Sequence, residues 1–232
     1  MTRLRPGGDM GELRTRLGRG DRLVCIGDSI TADDRGYVSV ARDVWAARDV
    51  GVEVLNVGRG GDTARQMRAR FETDVISLRP TWVSLMVGMA DTIKYLRGDP
   101  DGCDVAGYQE MVGEMVALAV RAGARVALCT PNHMEYFGHG EGMHRPANVM
   151  LAEKAQWLRD TARAGGHLLV PSGEVLLEAQ RQAMSGARWL SLTSDGVHLN
   201  DLGRALTAVA FVTAFGYDLA LDDPRQPTAS TP

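Results

Sequence analysis

Residues 23–34 read LVCIGDSITADD, and the rest of the chain is organised around them. Leu23 to Ile26 are apolar and half of them are β-branched, the mark of a strand buried on both faces. The run stops at Gly27-Asp28-Ser29, small and polar residues suited to a tight strand-to-loop turn. In open α/β sheets chemistry gathers outside the carboxyl ends of strands, so Ser29 stands where a nucleophile would stand. Taken alone, the three residues read first as a helix cap, because Ser and Asp favour that position. Residues far along the chain change the balance.

Four further strands are expected at 52–57 (VEVLNV), 82–87 (WVSLMV), 125–130 (RVALCT) and 167–170 (HLLV). Helical spacing predicts helices over 37–48, from Ala64 onward, and over 108–122, 149–164, 173–184 and 202–215. The first of these carries Tyr37, Val40, Ala41, Val44 and Trp45 on one face. Strands alternating with helices predict a parallel sheet covered on both sides. Residues 132–146 have no period and hold three of the five histidines, which reads as a long functional or surface loop. The organisation expected is an N-terminal extension over 1–20 with a short helix capped by Asp9, one α/β domain over 21–221, and a polar, proline-containing disordered tail over 222–232.

Composition excludes several classes. At 232 residues with 44% hydrophobic content the chain can bury a real core in one domain. A net charge of −3 gives no footprint for nucleic acid. No apolar run reaches membrane-spanning length, and MTRLRPGGDM leads into no apolar h-region, so no membrane partner and a cytoplasmic location are expected. Three cysteines without pattern argue against a disulfide framework or a zinc site. The turn GDSITADD lacks G-x-G-x-x-G, no P-loop motif occurs, and G-x-S-x-G is absent, which lowers nucleotide-binding and α/β-hydrolase readings. His133, Glu135, His139, Glu141 and His144 match no standard metal spacing, and neither metal nor cofactor is expected.

Near the other end Ser194-Asp195-Gly196-Val197-His198-Leu199-Asn200 precedes the last helix. Asp195 and His198 lie three residues apart, so one turn can bring the carboxylate to the imidazole. A carboxylate on one ring nitrogen fixes the tautomer and frees the other nitrogen to take a serine proton. A capping arrangement before the helix is the competing reading of that motif alone.

Four blocks in order, Gly27-Asp28-Ser29-Ile30-Thr31, Asn56-Val57-Gly58-Arg59-Gly60-Gly61-Asp62-Thr63, Gly88-x-x-Asp91 and Asp195-Gly196-Val197-His198, resemble the SGNH hydrolases, also called the GDSL esterase/lipase family. The resemblance spans about residues 21–216. It implies a flavodoxin-like three-layer α/β/α sandwich with a five-stranded parallel sheet. It also implies Ser29 as nucleophile, His198 as base, Asp195 as its orienting partner, and the backbone amides of Ser29 and Gly61 as oxyanion donors. The third block departs from the family pattern Gly-x-Asn-Asp, whose asparagine is a further oxyanion donor. Here Ala90 occupies that place, and a methyl group donates no hydrogen bond. Two explanations compete: a substitute donor, for which Asn132 and His133 just after the fourth strand are the candidates, or a shallow hole whose vacated space holds part of the substrate. Asp28, Met89 and Ala90 are candidate substrate contacts; Met86 and Met89 read first as packing, with the wall of an acyl pocket as the alternative for Met89. A carboxylate at Asp91 would repel an oxyanion, so a structural role is expected for it.

The function expected is that of a serine esterase or acylhydrolase working on a small-molecule ester through an acyl-enzyme. An acyltransferase using the same residues, and a catalytically weak binding protein on the same fold, are the alternatives. A pure scaffold needs none of Ser29, Asp195 and His198, which argues against the last.

Overall fold

The computed structural model describes residues 17–217. The expected helix before Gly18 (but for Leu17) and the tail from Asp222 fall outside that range, as does the C-terminal limit expected for the domain at residue 221. Strand β1 (Arg22–Gly27) pairs with β2 (Glu53–Asn56) on one side and β3 (Trp82–Met86) on the other, followed by β4 (Arg125–Cys129) and β5 (Leu168–Val170). All pairings are parallel and the order is β2-β1-β3-β4-β5. The chain therefore leaves β1 to build β2 on one flank and returns to build β3 on the other. That reversal opens a crevice at the carboxyl end of β1, the usual place for a site in such sheets.

Helices α1 (Ser29–Ala32), α2 (Tyr37–Ala47), α3 (Ala64–Asp74), α4 (Met89–Leu96), α5 (Val105–Arg121), α6 (His144–Gly165), α7 (Ser172–Ser185) and α8 (Asp201–Ala214) complete the described fold. Strand side chains alternate between two cores, as the period of two requires. Leu23, Cys25, Trp82, Met86 and Cys129 face one layer, where Trp45 and Phe215 meet edge to face at 5.7 Å and Tyr37 and Phe211 at 4.9 Å. Val24, Ile26, Val83, Leu85 and Leu128 face the other, against Phe71 of α3, Tyr108 and Met115 of α5 and Leu158 of α6. Truncating a fully buried ring such as Phe211 to alanine costs about 3–5 kcal/mol. A small third cluster, Met89, Met134, Ala147, Leu151 and Val197, joins α4, α6 and two loops at the carboxyl rim. The expected three-layer α/β architecture is the observed one. Among the described residues no helix is long and apolar enough to cross a membrane.

Three differences from the expected elements have local causes. Helix α4 was not expected, since its N-cap is Gly88 at φ +131° with no capping side chain. Helix α6 begins at His144 rather than near Val149, with Pro146 inside its first turn, where a missing N–H leaves no bond unmade. Helix α5 starts three residues early because the Asp104 side chain accepts from the Gly107 amide at 2.8 Å. Cys25, Cys103 and Cys129 are all buried free thiols; burial pushes the Cys25 thiol up to about 12.

Candidate active site

Gly27 ends β1 under severe constraint: a Cβ there would lie 2.0 Å from the Thr31 hydroxyl and 2.5 Å from the Met86 carbonyl. Asp28 then caps α1, its Oδ1 accepting the Ile30 amide at 3.0 Å, and its carboxylate also accepts from the Ala90 backbone. Ser29 is thus the first residue of a short helix, its position set by a buried strand on one side and a buried cap on the other. Burial raises the Asp28 carboxyl to about 6, against the lowering effect of those two amides.

The second arm of the site is the turn before α8. Its neck is an isolated antiparallel bridge between Thr193 and Leu199, with the Ser194 amide donating to the His198 carbonyl at 2.8 Å. Asp195 Oδ1 accepts the amides of Val197 (3.0 Å) and His198 (2.7 Å). Its Oδ2 accepts from His198 Nδ1 at 2.6 Å, and His198 Nε2 lies 3.0 Å from Ser29 Oγ. With Nδ1 donating to the carboxylate, Nε2 is left to accept the serine proton. Burial pushes the Asp195 carboxyl up, but hydrogen bonds from the His198 ring and from the two amides outweigh it and hold the group below its ordinary range. Ser29, His198 and Asp195, separated by up to 169 positions, form one hydrogen-bonded line.

The turn is clamped from outside by the loop after β4. Glu135 N donates to the Gly196 carbonyl at 2.9 Å and His139 N to the Asp195 carbonyl at 2.8 Å. The buried Glu135 carboxylate accepts from the Leu192 amide, Ser191 Oγ and Gln180 Nε2 at 2.7–2.8 Å. Sequence reading missed this clamp; its contacts join residues 45 to 61 positions apart, with no local signature.

Gly61, at φ +76°, lines the cleft above Ser29, and a Cβ there would meet nothing within 4 Å. Its loop is tied down at both ends. Asn56 donates to the Thr31 carbonyl at 2.6 Å, and Thr63 and Gln66 form a reciprocal capping box at the start of α3. Asp91 Oδ1 accepts the Ala64 amide at 2.9 Å, the structural task expected of it. Burial raises the Asp91 carboxyl, and the nearby Lys154 ammonium pulls the other way. Lys154 is itself buried on α6 and donates to Thr92 Oγ1 at 2.8 Å. Burial lowers its amine.

The cleft has a volume of about 410 Å³, and Ser29, His198, Gly61, Met89, Ala90 and His139 are among its walls. The structure brings Met89 and Ala90 to it, and departs from expectation at three other positions. Asp28 is buried and turned to the amides of Ile30 and Ala90. Asn132 spends its amide on the carbonyls of His133 (3.2 Å) and Val197 (3.1 Å), so it braces the turn and has no proton left for an oxyanion. His133 lines a different cavity, beside Glu174 and Leu177. His139 points its Nε2 to within 3.7 Å of Asp195 Oδ2. Among the described residues, His139, Asp195 and His198 form the one trio whose donor atoms could converge on a metal ion, lying within 4.8 Å of one another. Asp195 and His198 are already bonded to each other there.

A parallel sheet with a switch-point serine, a histidine and an aspartate in line defines a class of enzyme, and comparison with known proteins returns the same class. The model of the GDSL-like lipase/acylhydrolase family matches residues 25–206. The chain belongs to that family, the SGNH hydrolases of the motif resemblance, and is a carboxylic ester hydrolase. It is similar to an acetylxylan esterase of Geobacillus stearothermophilus, 25% identical over 224 residues, covering 88% of this chain and 97% of that protein. The crystal structure of that esterase, Axe2, aligns with a TM-score of 0.75 over 88% of this chain and 97% of its own, at 25% identity. An alpha/beta hydrolase enzyme from the metagenome of Lake Arreo, LAE5, aligns with a TM-score of 0.73 at 25% identity, over 86% of this chain and 96% of its own.

Proposed function

We propose that the protein is a serine esterase that removes a small acyl group, acetyl first among them, from a hydroxyl of a saccharide-like alcohol. The observation that carries this reading is the Ser29 Oγ–His198 Nε2–Asp195 line at 3.0 and 2.6 Å. Ser29 attacks the ester carbonyl while His198 takes its proton, and the imidazolium that forms is steadied by Asp195. The tetrahedral oxyanion is met by the amides of Ser29 and Gly61, neither of which has a partner among the described residues. Collapse expels the alcohol with the proton from His198, and water then cleaves the acyl-enzyme by the same steps in reverse. The acetylxylan esterase relative supports acetyl as the acyl group and a sugar hydroxyl as the leaving alcohol. Structures of that relative described as catalytic mutants replace a serine and an aspartate, the residue types placed in line here.

The test is covalent trapping. A fluorophosphonate should label Ser29, and 4-nitrophenyl acetate should give an acyl-enzyme heavier by one acetyl group in intact-mass spectra. Ser29→Ala should abolish both and His198→Ala should slow both strongly. Folded wild-type protein that neither labels nor turns over the ester would refute the reading.

A further inference from the structure

Two side chains that are cationic at neutral pH, Lys94 and Arg97, line the Ser29 cleft beside the imidazoles of His139 and His198, and no Asp or Glu is among its lining residues. The contrast is local, because the whole chain holds 29 acidic against 26 basic residues. Helix α4 supplies the gradient. Met89, Ile93 and Arg97 recur every four residues, so they share one face of the helix and its cap, and all three line the cleft. Met89 and Ala90 are buried at the serine end, whereas Arg97 is exposed, about 12 Å further along the helix axis.

The Arg97 guanidinium is paired with no carboxylate among the described residues. Lys94 beside it is loosely held, with Nζ 3.3 Å from Gln66 Oε1 and 4.0 Å from Asp101 Oδ2. An arginine near a helix C-terminus suits the helix dipole, but that role asks nothing about which way it faces. An unpaired guanidinium on the wall of a binding cleft is a ready receptor for a planar anion.

We propose that Arg97, assisted by Lys94, is an anion subsite, and that the preferred substrate is an acetyl ester of a carboxylate-bearing alcohol such as an acidic saccharide. The inference rests on the Ser29 esterase reading and adds the charge of the substrate to it. The anion is assigned to the alcohol portion because the buried Met89 and Ala90 floor suits a small apolar acyl group. The larger alcohol then runs along α4, past Ile93, to the exposed cation. Arg97 lies far from the reacting carbonyl, so it acts on binding in ground state and transition state alike and appears in KM rather than kcat.

The experiment compares 4-acetoxybenzoate with its neutral methyl ester, each rate divided by its own uncatalysed rate. A second pair, 4-nitrophenyl hemisuccinate and 4-nitrophenyl butyrate, places the carboxylate on the acyl side instead. Wild type should prefer the anionic acetate by about 5–10-fold in kcat/KM at low salt, through KM. The preference should fade towards unity at 1 M salt, where screening acts within about 3 Å. Arg97→Ala should bring the ratio near one, Arg97→Glu should invert it, and Arg97→Lys, which keeps the charge and loses the planar fork, should fall between Arg97→Ala and wild type. A wild-type ratio of one, or a ratio indifferent to salt and to Arg97, overturns the subsite. A preference seen only in the acyl-side pair overturns the assignment to the alcohol. Failure to hydrolyse any of the four esters takes the esterase reading down with it, an outcome distinct from hydrolysis without charge preference.

Discussion

Asp195→Asn isolates the proposed task of the aspartate from its task in holding the turn. Oδ1 accepts two backbone amides and Oδ2 accepts from the His198 ring, so the two carboxylate oxygens have separable roles. Asparagine keeps an oxygen for the Val197 and His198 amides, and those bonds fix its orientation. Its NH2 group must then face His198 Nδ1, which can only answer as an acceptor. The ring proton moves to Nε2, the atom 3.0 Å from Ser29 Oγ, and Nε2 can no longer take the serine proton. In serine hydrolases a wrong tautomer of this kind costs about 10⁴ in turnover, or about 5 kcal/mol. The backbone contacts survive, so the melting temperature should stay within about 3 °C of wild type. The measurement is kcat/KM on 4-nitrophenyl acetate, with the rate of fluorophosphonate labelling as a second readout of Ser29 activation. Both should fall together. A folded Asp195→Asn protein keeping more than about a tenth of wild-type turnover would falsify the proposed proton route.

Two further substitutions test the surroundings of the site. Ala90→Asn adds an amide to a cleft whose nearest expected substitute, Asn132, has both protons committed elsewhere; turnover of a small acetate should rise, with a ceiling of about 10²–10³ for one full oxyanion donor, and unchanged turnover in a protein that still labels would mean the hole lacks nothing. Asp28→Asn tests the buried carboxyl raised from 3.8 to about 6. The folded state holds that proton more tightly than the unfolded chain, so the group's contribution is complete below about pH 4 and is lost as pH rises through about 6. The stability of Asp28→Asn relative to wild type should therefore improve by about 3 kcal/mol between pH 4 and pH 8, whatever the constant offset from altered capping, and parallel stability curves in denaturant across that range would contradict it.

The sheet was legible because each strand is a run of apolar residues stopped by glycine, proline or a polar turn, signals that need no partner to be read. The Asp195–His198 pair was legible for a similar reason, since three residues of spacing and one turn make the contact local. Helix α4 was not, because Gly88 caps it through backbone conformation and offers no side-chain start signal. The start of α6 was hidden by Pro146, a breaker in most contexts and harmless in a first turn. The role of Asn132 was misread for a different reason. Its place after β4 puts it at the correct rim of the sheet, but rim position does not say which way a side chain turns, and its amide turns to Val197.

Asp28 and Asp91 show why a displaced pKa at such a site does not by itself name an acid or a base. Both carboxyls are raised by burial, the usual mark of a group tuned for proton transfer. Neither faces the cleft. Asp28 joins the first turn of α1 to that of α4 by accepting from Ile30 and Ala90, and Asp91 joins α4 to α3 by accepting from Ala64. Three helix N-termini, each favouring a negative charge nearby, are thereby held against one another. The two amides proposed as oxyanion donors, those of Ser29 and Gly61, sit on the first turn of α1 and on the loop entering α3. Their spacing is therefore set through these two buried carboxylates. An oxyanion hole depends on donors fixed before the charge develops, so a standing cost in stability at neutral pH is what this bracing exacts. The perturbed groups belong to the frame, and the proposed proton transfer falls to the half-exposed His198.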